Sequence, residues 1–520
     1  MPGRRAYITI GVLALLWGLL LAILVEQPGY VDAYYYFNAG QRFAQGEGLT
    51  DANLWTYINA PDTLPGPSHA YWMPLESLVA AASMAIFGAH FGAAQMPSVL
   101  CFTGLVLLAF WLGAHLGGTS RHAWIAGLLM LFSGFFTPFW TSTDTFALYG
   151  LVGSLALVTL GRGRESGDWR WYAASGALGG LAHLTRADGL LLILVALLII
   201  FWPRWGFAWM PALKAAVACL IAYTVIMSPW WVRNAAELGT PFPTGGMAGV
   251  WLRGYEEIVN FPPDMTFAGF REWGLSPILE SRWVAFTNNL GTFIAVETWV
   301  VLGPFVLTGL WILRRQPLLW GVMLYALGLH LAMTFVFAYP GYRGGLFHSS
   351  SALMPFWAAM SIVGLDAAIL WLAKRRRWRR KQAQTVFGGA AVILAAIVSI
   401  SLLFARLPDM NDNGNFYRTI ANDLPLDVVV MVNDPAGFYY HTGHLAVVVP
   451  NNDPDVVPEI AEKYGVTHLV LDVNRTDPFT ALFLGEEDRS FLREIKHYTL
   501  DTDDPADDWR VFVILPDDAP

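Results

Sequence analysis

Apolar residues along this chain come in long unbroken runs, without the polar interruptions that mark a surface helix or a half-buried strand. Read at about 17 to 25 residues per membrane span, the runs predict about eleven spans. They lie near residues 6–26, 93–116, 123–139, 143–161, 171–185, 188–203, 208–229, 290–313, 317–338, 350–373 and 384–405. The fifth and sixth are short and close together. The apolar part of Pro67–Gly88 runs for only about a dozen residues and reads as a helix lying in the membrane interface. After Arg406 the texture changes. DVVVMVNDPAGFYY, LAVVVPN and THLVLDV are short strands separated by turn residues, and PDVVPEIAEKYG is a helix between two of them. That alternation predicts a small α/β domain of about 110 residues. The expected fold class is an all-α polytopic membrane domain over residues 1–405 followed by a small external α/β domain over 406–520.

Basic residues orient the spans. Arg4/Arg5, Arg121, Arg162/Arg164/Arg170, Arg204/Lys214, Arg314/Arg315 and the block Lys374–Lys381 fall in alternate loops. The positive-inside rule puts those loops in the cytoplasm. The Lys374–Lys381 block also reads as an anionic-lipid site, but topology explains it more simply. The N-terminus is then cytoplasmic, while loops 27–92 and 230–289 and the C-terminal domain are extracytoplasmic, as in a multi-pass protein of the inner or plasma membrane. Both long loops carry too many aromatics for disordered linkers, and loops of such length are uncommon unless functional. The run after Arg4 and Arg5 resembles a signal peptide, but it is long enough to span and lacks a small-residue cleavage site, so it reads as a retained first span.

Composition agrees: 55% of residues are hydrophobic and 14% charged, where soluble domains have roughly a quarter charged. The net charge of −8, with its acidic excess in the tail, gives no nucleic-acid signal. Cys101 and Cys219 both sit in apolar runs, so neither a disulfide framework nor zinc-ligand spacing can be built. Asn474-Arg475-Thr476 fits the N-glycosylation pattern, which is short enough to arise by chance. There is no glycine-rich phosphate loop, nucleophile motif or internal repeat.

Charged residues at membrane level are expensive and each needs a reason. Asp32 lies just after the first span and is followed by Tyr34, Tyr35 and Tyr36. A carboxylate there is placed to deprotonate a hydroxyl while the rings hold a sugar. Otherwise it caps a helix beginning at Ala33, with the tyrosines in the interfacial aromatic belt. Asp144, in TPFWTSTDTFALYG, precedes the fourth span and either serves the same site or, like Ser142 and Thr143, caps that helix. Arg186 pairs with Asp188 or binds an anion. Arg233 in SPWWVRN and Arg343 in YPGYRGGLFHSSS complete a set of isolated arginines on the outer face, and arginine grips phosphate with forked, charge-assisted bonds. His69 and His348 are candidate metal ligands with Asp32 or Asp144, but no HxxxH-type spacing supports this and hydrogen bonding is the simpler role. His183, inside a span, reads as a packed, satisfied histidine.

The pieces DAYYYFNAGQRFAQGEG, YWMPLESLVAAASMAIFGAHFGAAQMPSVL, STDTFALYGLVG, LTRADGLLL, PWWVRNAAELGTPFPTG and EKYGVTHLVLD, taken in order, resemble the GT-C glycosyltransferases. Within them, the resemblance is to the family-39-like, aminoarabinose-transferase and protein-O-mannosyltransferase group, and it covers nearly the whole chain. The chain departs from the family at Trp72–Leu75, WMPL in place of HPPL, and at Met96, where the family often has arginine. The resemblance implies an inverting transferase with its site on the outer face, roofed by the first long loop. Its donor would be a polyprenyl-phosphate-linked sugar, its acceptor a lipid, glycan or protein hydroxyl, with membrane lipids around it. It implies Asp32 as catalytic base, Asp144 as a second acid that positions substrate, and Arg343 near the lipid phosphate. Arg233, Arg186, Tyr35 and His69 are further substrate-binding candidates. No cofactor is fixed by the sequence, and a divalent metal is left open. A transporter or flippase of a lipid-linked sugar would instead need midplane charges, broken helices or repeated halves. A non-catalytic scaffold would not need the acid and the arginines to converge.

Overall fold

The computed structural model describes residues 2–202, 208–243, 245–412, 414–425, 427–499 and 508–515, so Arg204 of the topology pattern lies outside the described residues. The chain forms two compact units. The first comprises Met1–Glu26, Met73–Val232 and Glu280–Asn411, and the second Gln27–Trp72, Arg233–Leu279 and Asp412–Pro520.

Among the described residues, seven helices are long and apolar enough to cross a membrane: Arg4–Leu24, Phe91–Gly117, Phe146–Ser166, Trp209–Glu237, Pro317–Val336, Ala338–Arg376 and Arg380–Met410. The other four predicted spans are shorter helices, Ser120–Leu131, Trp169–Thr185, Ala187–Phe201 and Gly303–Leu313. The predicted span 290–313 is broken. Helix Leu275–Thr292 passes into a π-helical turn, Phe293–Glu297, and Trp299 and Val300 then take left-handed φ angles of 49° and 66°. Such angles cannot continue a right-handed helix, and Pro304 starts a new one in its first turn, where a proline is tolerated. The segment expected to lie in the interface forms helix Leu75–Phe87 of 13 residues.

Within the first unit, basic side chains gather at one end of the helices and close their carbonyls. Arg164 Nη1 donates to Ile199 O at 3.2 Å and Trp202 O at 3.0 Å. Arg121 pairs with Asp366, which also lies 3.1 Å from His122 Nε2. At the opposite end Asn411 accepts from the Glu26 N–H at 3.0 Å and donates to Leu24 O at 2.8 Å, and Gln95 donates to Val25 O at 3.1 Å. Helices Gly303–Leu313 and Met354–Arg376 cross through glycines: a methyl on Gly364 would be driven into the Phe305 carbonyl, and one on Gly309 into that of Met360. Small residues at a crossing bring backbones together where no hydrophobic drive exists between helices in lipid.

The second unit is built on strands β1 (Thr50–Asp51), β2 (Asn53–Leu54), β3 (Gly66–Pro67), β4 (Val429–Val432), β5 (Ala446–Val448), β6 (Val466–Leu471), β7 (Leu492–Tyr498) and β8 (Trp509–Ile514). β1 and β3 form a small antiparallel pair, and the others form one sheet in the order β2-β5-β4-β6-β8-β7. β2, β5, β4 and β6 run parallel, while β8 and β7 join antiparallel. The parallel strands are nearly all apolar because both faces are covered, whereas edge strand β7, LREIKHY, carries charges that discourage further pairing. Helix Pro435–Thr442 links β4 to β5 and helix Val457–Tyr464 lies between β5 and β6, each ended by a left-handed glycine, Gly443 and Gly465. The strands and helix read from DVVVMV, LAVVV, THLVLD and PDVVPEIAEKYG therefore stand where expected.

The loops are part of this unit. β2 comes from the first loop, with Asn53 opposite Ala446 and Leu54 opposite Val447. Asn38 donates to Ala436 O at 2.9 Å and Tyr57 to Val448 O at 2.5 Å. The second loop joins through Thr56 to Ile258 O at 2.6 Å and the Phe261 N–H to Asn452 at 2.7 Å.

Gly364→Ala is expected to destabilise the bundle by about 1–3 kcal/mol, because the obstructing atom is backbone. Gly389→Ala, with open space around its Cβ, is expected to leave the melting temperature unchanged or raise it. Thermal unfolding of the purified variants checks both; equal melting temperatures would refute the close crossing.

Candidate functional site

In the first unit, residues Thr141–Thr145 are all buried although each is polar. Hydroxyl and carboxyl side chains that bond their own backbone compete with helix, so the chain stays irregular until Phe146 begins a helix. Asp144 Oδ1 accepts from the Thr145 N–H at 2.5 Å and from Thr145 Oγ1 at 3.1 Å. Its Oδ2 lies 2.8 Å from His348 Nε2. His348 sits on the short helix Leu346–Ser350, stacks on Phe146 at 4.1 Å, and has Nδ1 at 2.8 Å from Gly344 O. A carbonyl only accepts, so Nδ1 carries a proton. Burial alone would push the Asp144 carboxyl up, but the charge of His348, bonds from His348 and the Thr145 N–H, and the charge of Arg186 hold it below the usual range. The two groups share one close contact, with Nδ1 of the imidazole turned to the Gly344 carbonyl.

Arg186 ends helix Trp169–Thr185 in an extended conformation. Its Nε donates to Asp188 Oδ1 at 3.2 Å and Ser349 Oγ at 3.0 Å, and its Nη1 to Thr145 Oγ1 at 3.4 Å. Ser349 in turn donates to Asp188. Beneath lie Tyr149 and Tyr325, their hydroxyls 2.8 Å apart. Asp144, Asp188, Arg186 and His348 therefore answer one another in a space where an unpaired charge would be costly. Asp144 and His348 are a carboxylate and an imidazole of the kind that binds divalent cations; here they hold each other.

In the second unit, helix Val31–Ala44 starts after Tyr30, with no side-chain cap. Asp32 stands in its first turn, half-buried, where the partial positive charge of the helix end favours a carboxylate. Tyr35, three residues on and so on a neighbouring face, donates to Asp51 Oδ2 at 3.0 Å and accepts from the His69 N–H at 2.9 Å. Burial pushes Asp51 up to about 7, against the Tyr35 bond and the charges of Arg233 and Arg42. Burial and Arg233 push His69 down to about 3, so its ring is neutral. That ring lies edge-on to Tyr35 at 5.2 Å and is stacked with Tyr36 at 6.0 Å. Arg233 straps the loop, donating to Ser68 O at 2.9 Å and Leu49 O at 3.1 Å.

The sequence candidates thus divide. Asp144 and Arg186 share one network in the first unit, whereas Tyr35, His69 and Arg233 surround Asp51 in the second. Arg343 is exposed on the π-helical turn Gly341–Gly345. Two alternative roles need correction. Asp32 does not cap a helix beginning at Ala33, since the helix begins at Val31 and Tyr30 holds the cap position. The cap position before Phe146 belongs to Thr145, without a side-chain cap, and Asp144 instead bonds Thr145 and His348. Arg186 does pair with Asp188, and His183 is satisfied by Tyr223 at 2.7 Å.

Sequence reading missed Asp51, Ser349 and Glu76. Asp51 sits in LTDANLW, which looks like an ordinary polar turn. Glu76 gave a signal, a lone acid entering an apolar helix; it is fully buried and accepts from Ser98 at 3.3 Å. Glu297 was missed too: it is fully buried, 3.0 Å from His330 and 2.9 Å from Trp357 Nε1.

Residues 68–232 match the dolichyl-phosphate-mannose-protein mannosyltransferase family. No curated protein matches the chain by sequence. The oligosaccharyltransferase AglB of Archaeoglobus fulgidus, solved with an inhibitory peptide and a dolichol-phosphate, is similar in structure at TM-score 0.56 and 14% identity, over 90% of this chain and 70% of that one. ArnT from Cupriavidus metallidurans, solved bound to undecaprenyl phosphate, is similar at TM-score 0.56 and 14% identity, over 98% of both chains. The resemblance drawn from the sequence motifs is borne out at the level of architecture: the chain has the GT-C fold, a polytopic helical domain with a small sheet region toward its C-terminus.

A double-mutant cycle of Asp144→Asn and His348→Gln is expected to give a coupling of about 0.5–3 kcal/mol in unfolding free energy; strict additivity would deny the pair. Asp51 holds its proton to about 7 in the folded chain against an ordinary 3.8. Its stabilising contribution is therefore full below the lower value and is lost as pH rises through the upper one. Between those limits wild-type stability should fall with pH more steeply than that of Asp51→Asn, and parallel melting curves would sink the assignment.

Proposed function

We propose that the protein is an inverting glycosyltransferase, moving a hexosyl or pentosyl unit from a polyprenyl-phosphate-linked donor to an acceptor hydroxyl on the outer face of the cell membrane. One observation carries this reading. The first unit gathers Asp144, His348, Arg186 and Asp188 into one network at the end of the bundle away from the clustered basic residues. It does so within a fold matched over 98% of both chains by a protein solved with undecaprenyl phosphate.

In this reading Asp32 is the general base. It takes the proton of the acceptor hydroxyl as that oxygen attacks the anomeric carbon from the face opposite the leaving group. The bond from the anomeric carbon to the phosphate oxygen breaks, and polyprenyl phosphate departs. Arg343 and Arg186 face the negative charge that grows on the phosphate; fixed cations aimed at developing charge lower the barrier without reorganising during the step. Asp144 and His348 keep Arg186 aligned through Thr145 rather than touching substrate. Arg233 and His69, tied into the loop around Asp51, shape the acceptor side with Tyr35. The N-terminus and the basic loops are cytoplasmic, and the second unit is outside.

Asp32→Asn is expected to abolish sugar transfer from a polyprenyl-phosphate donor in proteoliposomes without shifting the melting temperature. Arg343→Ala should raise KM for the lipid donor about tenfold or more, as expected for loss of a charge-assisted phosphate contact. Full transfer by Asp32→Asn would refute the base, and an unchanged KM in Arg343→Ala would remove it from the phosphate.

A further inference from the structure

The loop that follows helix Val31–Ala44 folds around a small cavity of about 20 Å³, whose lining includes Tyr35, Asp51, Asn53, Trp55 and Tyr71. That is room for a single water-sized polar group. Asn53 is 2% exposed, and its Oδ1 has no hydrogen-bond partner among the described residues. Asp51 beside it has one oxygen engaged by Tyr35. A buried acceptor without a donor carries its whole desolvation cost, so the wall is built for something that donates. The outer rim is aromatic. Trp55 and Tyr71, both half-buried, meet edge to face at 4.9 Å, and Trp55 is backed by Trp72 stacked at 3.8 Å.

Those features narrow the ligand chemistry. An anion would face the unanswered amide oxygen of Asn53 and the oxygens of the Asp51 carboxyl. A cation would enter the field of Arg42 and Arg233, both of which act on Asp51. A neutral molecule with a hydroxyl to insert and an apolar face to lay on an aromatic ring meets both demands. Sugars have this construction.

We propose that this cavity is a subsite for a neutral sugar unit of the acceptor, which makes the acceptor a glycan. One ring hydroxyl donates to Asn53 Oδ1 inside the cavity, and the C–H face of the ring lies against Trp55 or Tyr71. The assignment to the acceptor rests on the transferase reading above; the binding itself does not.

The test uses the full chain in detergent micelles, titrated with methyl glycosides of neutral hexoses and pentoses and their disaccharides. Binding is followed by tryptophan fluorescence and saturation-transfer NMR, with no donor present. At least one glycoside should bind, Asn53→Ala should weaken it about fivefold or more, and Trp55→Ala about tenfold. Trp55→Phe, which keeps a ring and guards against a folding defect, should stay within about threefold of wild type. Absence of binding across the panel, or equal binding by the Asn53 and Trp55 variants, would overturn the subsite. Displacement of the glycoside by a polyprenyl-phosphate sugar would overturn its assignment to the acceptor. Because no transfer is measured, loss of the Asp32 role would leave this result standing, and failure here would leave the transferase reading intact.

Discussion

Taking a charge out of water costs several kcal/mol unless another group answers it, and that cost governs where polar side chains lie in the first unit. The basic residues that survive on the helices stand at their ends, with Arg164 closing the carbonyls of Ile199 and Trp202 and Arg121 meeting Asp366. Three of the acids inside are answered by a basic side chain, Asp144 by His348, Asp188 by Arg186 and Ser349, and Glu297 by His330 and Trp357, while Glu76 meets only Ser98. Apart from the local Arg186–Asp188 pair, these answers join segments far apart in sequence. Asp144 precedes helix Phe146–Ser166 and His348 lies on helix Leu346–Ser350, so satisfying one carboxylate also sets the spacing between them. Electrostatic balance and tertiary geometry are here the same requirement.

The second unit solves a different problem. A tail of this size has a modest core, with two apolar clusters flanking the sheet. The first loop adds to it an edge strand, an aromatic helix and Tyr57, while the second adds Phe261 and the carbonyl of Ile258. Long loops that would otherwise bear exposed aromatics bury them against the sheet. The buried acid of this unit, Asp51, is tuned by the same few neighbours that hold the loop, Tyr35, Arg42 and Arg233. Its polar interior and its loop conformation therefore stand or fall together.

Much of this was legible in the chain. Hydrophobic runs locate the helices because a lipid-facing segment has to be apolar along its whole length, and the valine-rich runs near 429, 446 and 466 locate the parallel core for the related reason that both sheet faces are covered. The break near Trp299 was not legible, since two left-handed residues leave the apolar composition unchanged. β2 was hidden because its two residues show no period, and β7 because an exposed charged strand looks like a loop. Asp144 and Arg186 were visible as charges at membrane level and His348 as a histidine that would bond or share a ligand with an acid, while Ser349 is unremarkable in sequence and acquires a role only through folding. Asp51 was the hardest: nothing in LTDANLW shows that a tyrosine hydroxyl and two arginines will gather around it.

The pairing of β2 with β5 has a consequence for biosynthesis. Residues 53 and 54 leave the ribosome nearly four hundred residues ahead of their partners, Ala446 and Val447. Chains are made from the N-terminus and domains fold as their parts arrive, so this edge stays open through the insertion of nearly every helix. The second unit can therefore close only after the helices of the first are essentially complete, and a nascent chain stalled anywhere before residue 446 would display Trp55, Tyr57 and the unpaired backbone of β2 to any chaperone within reach.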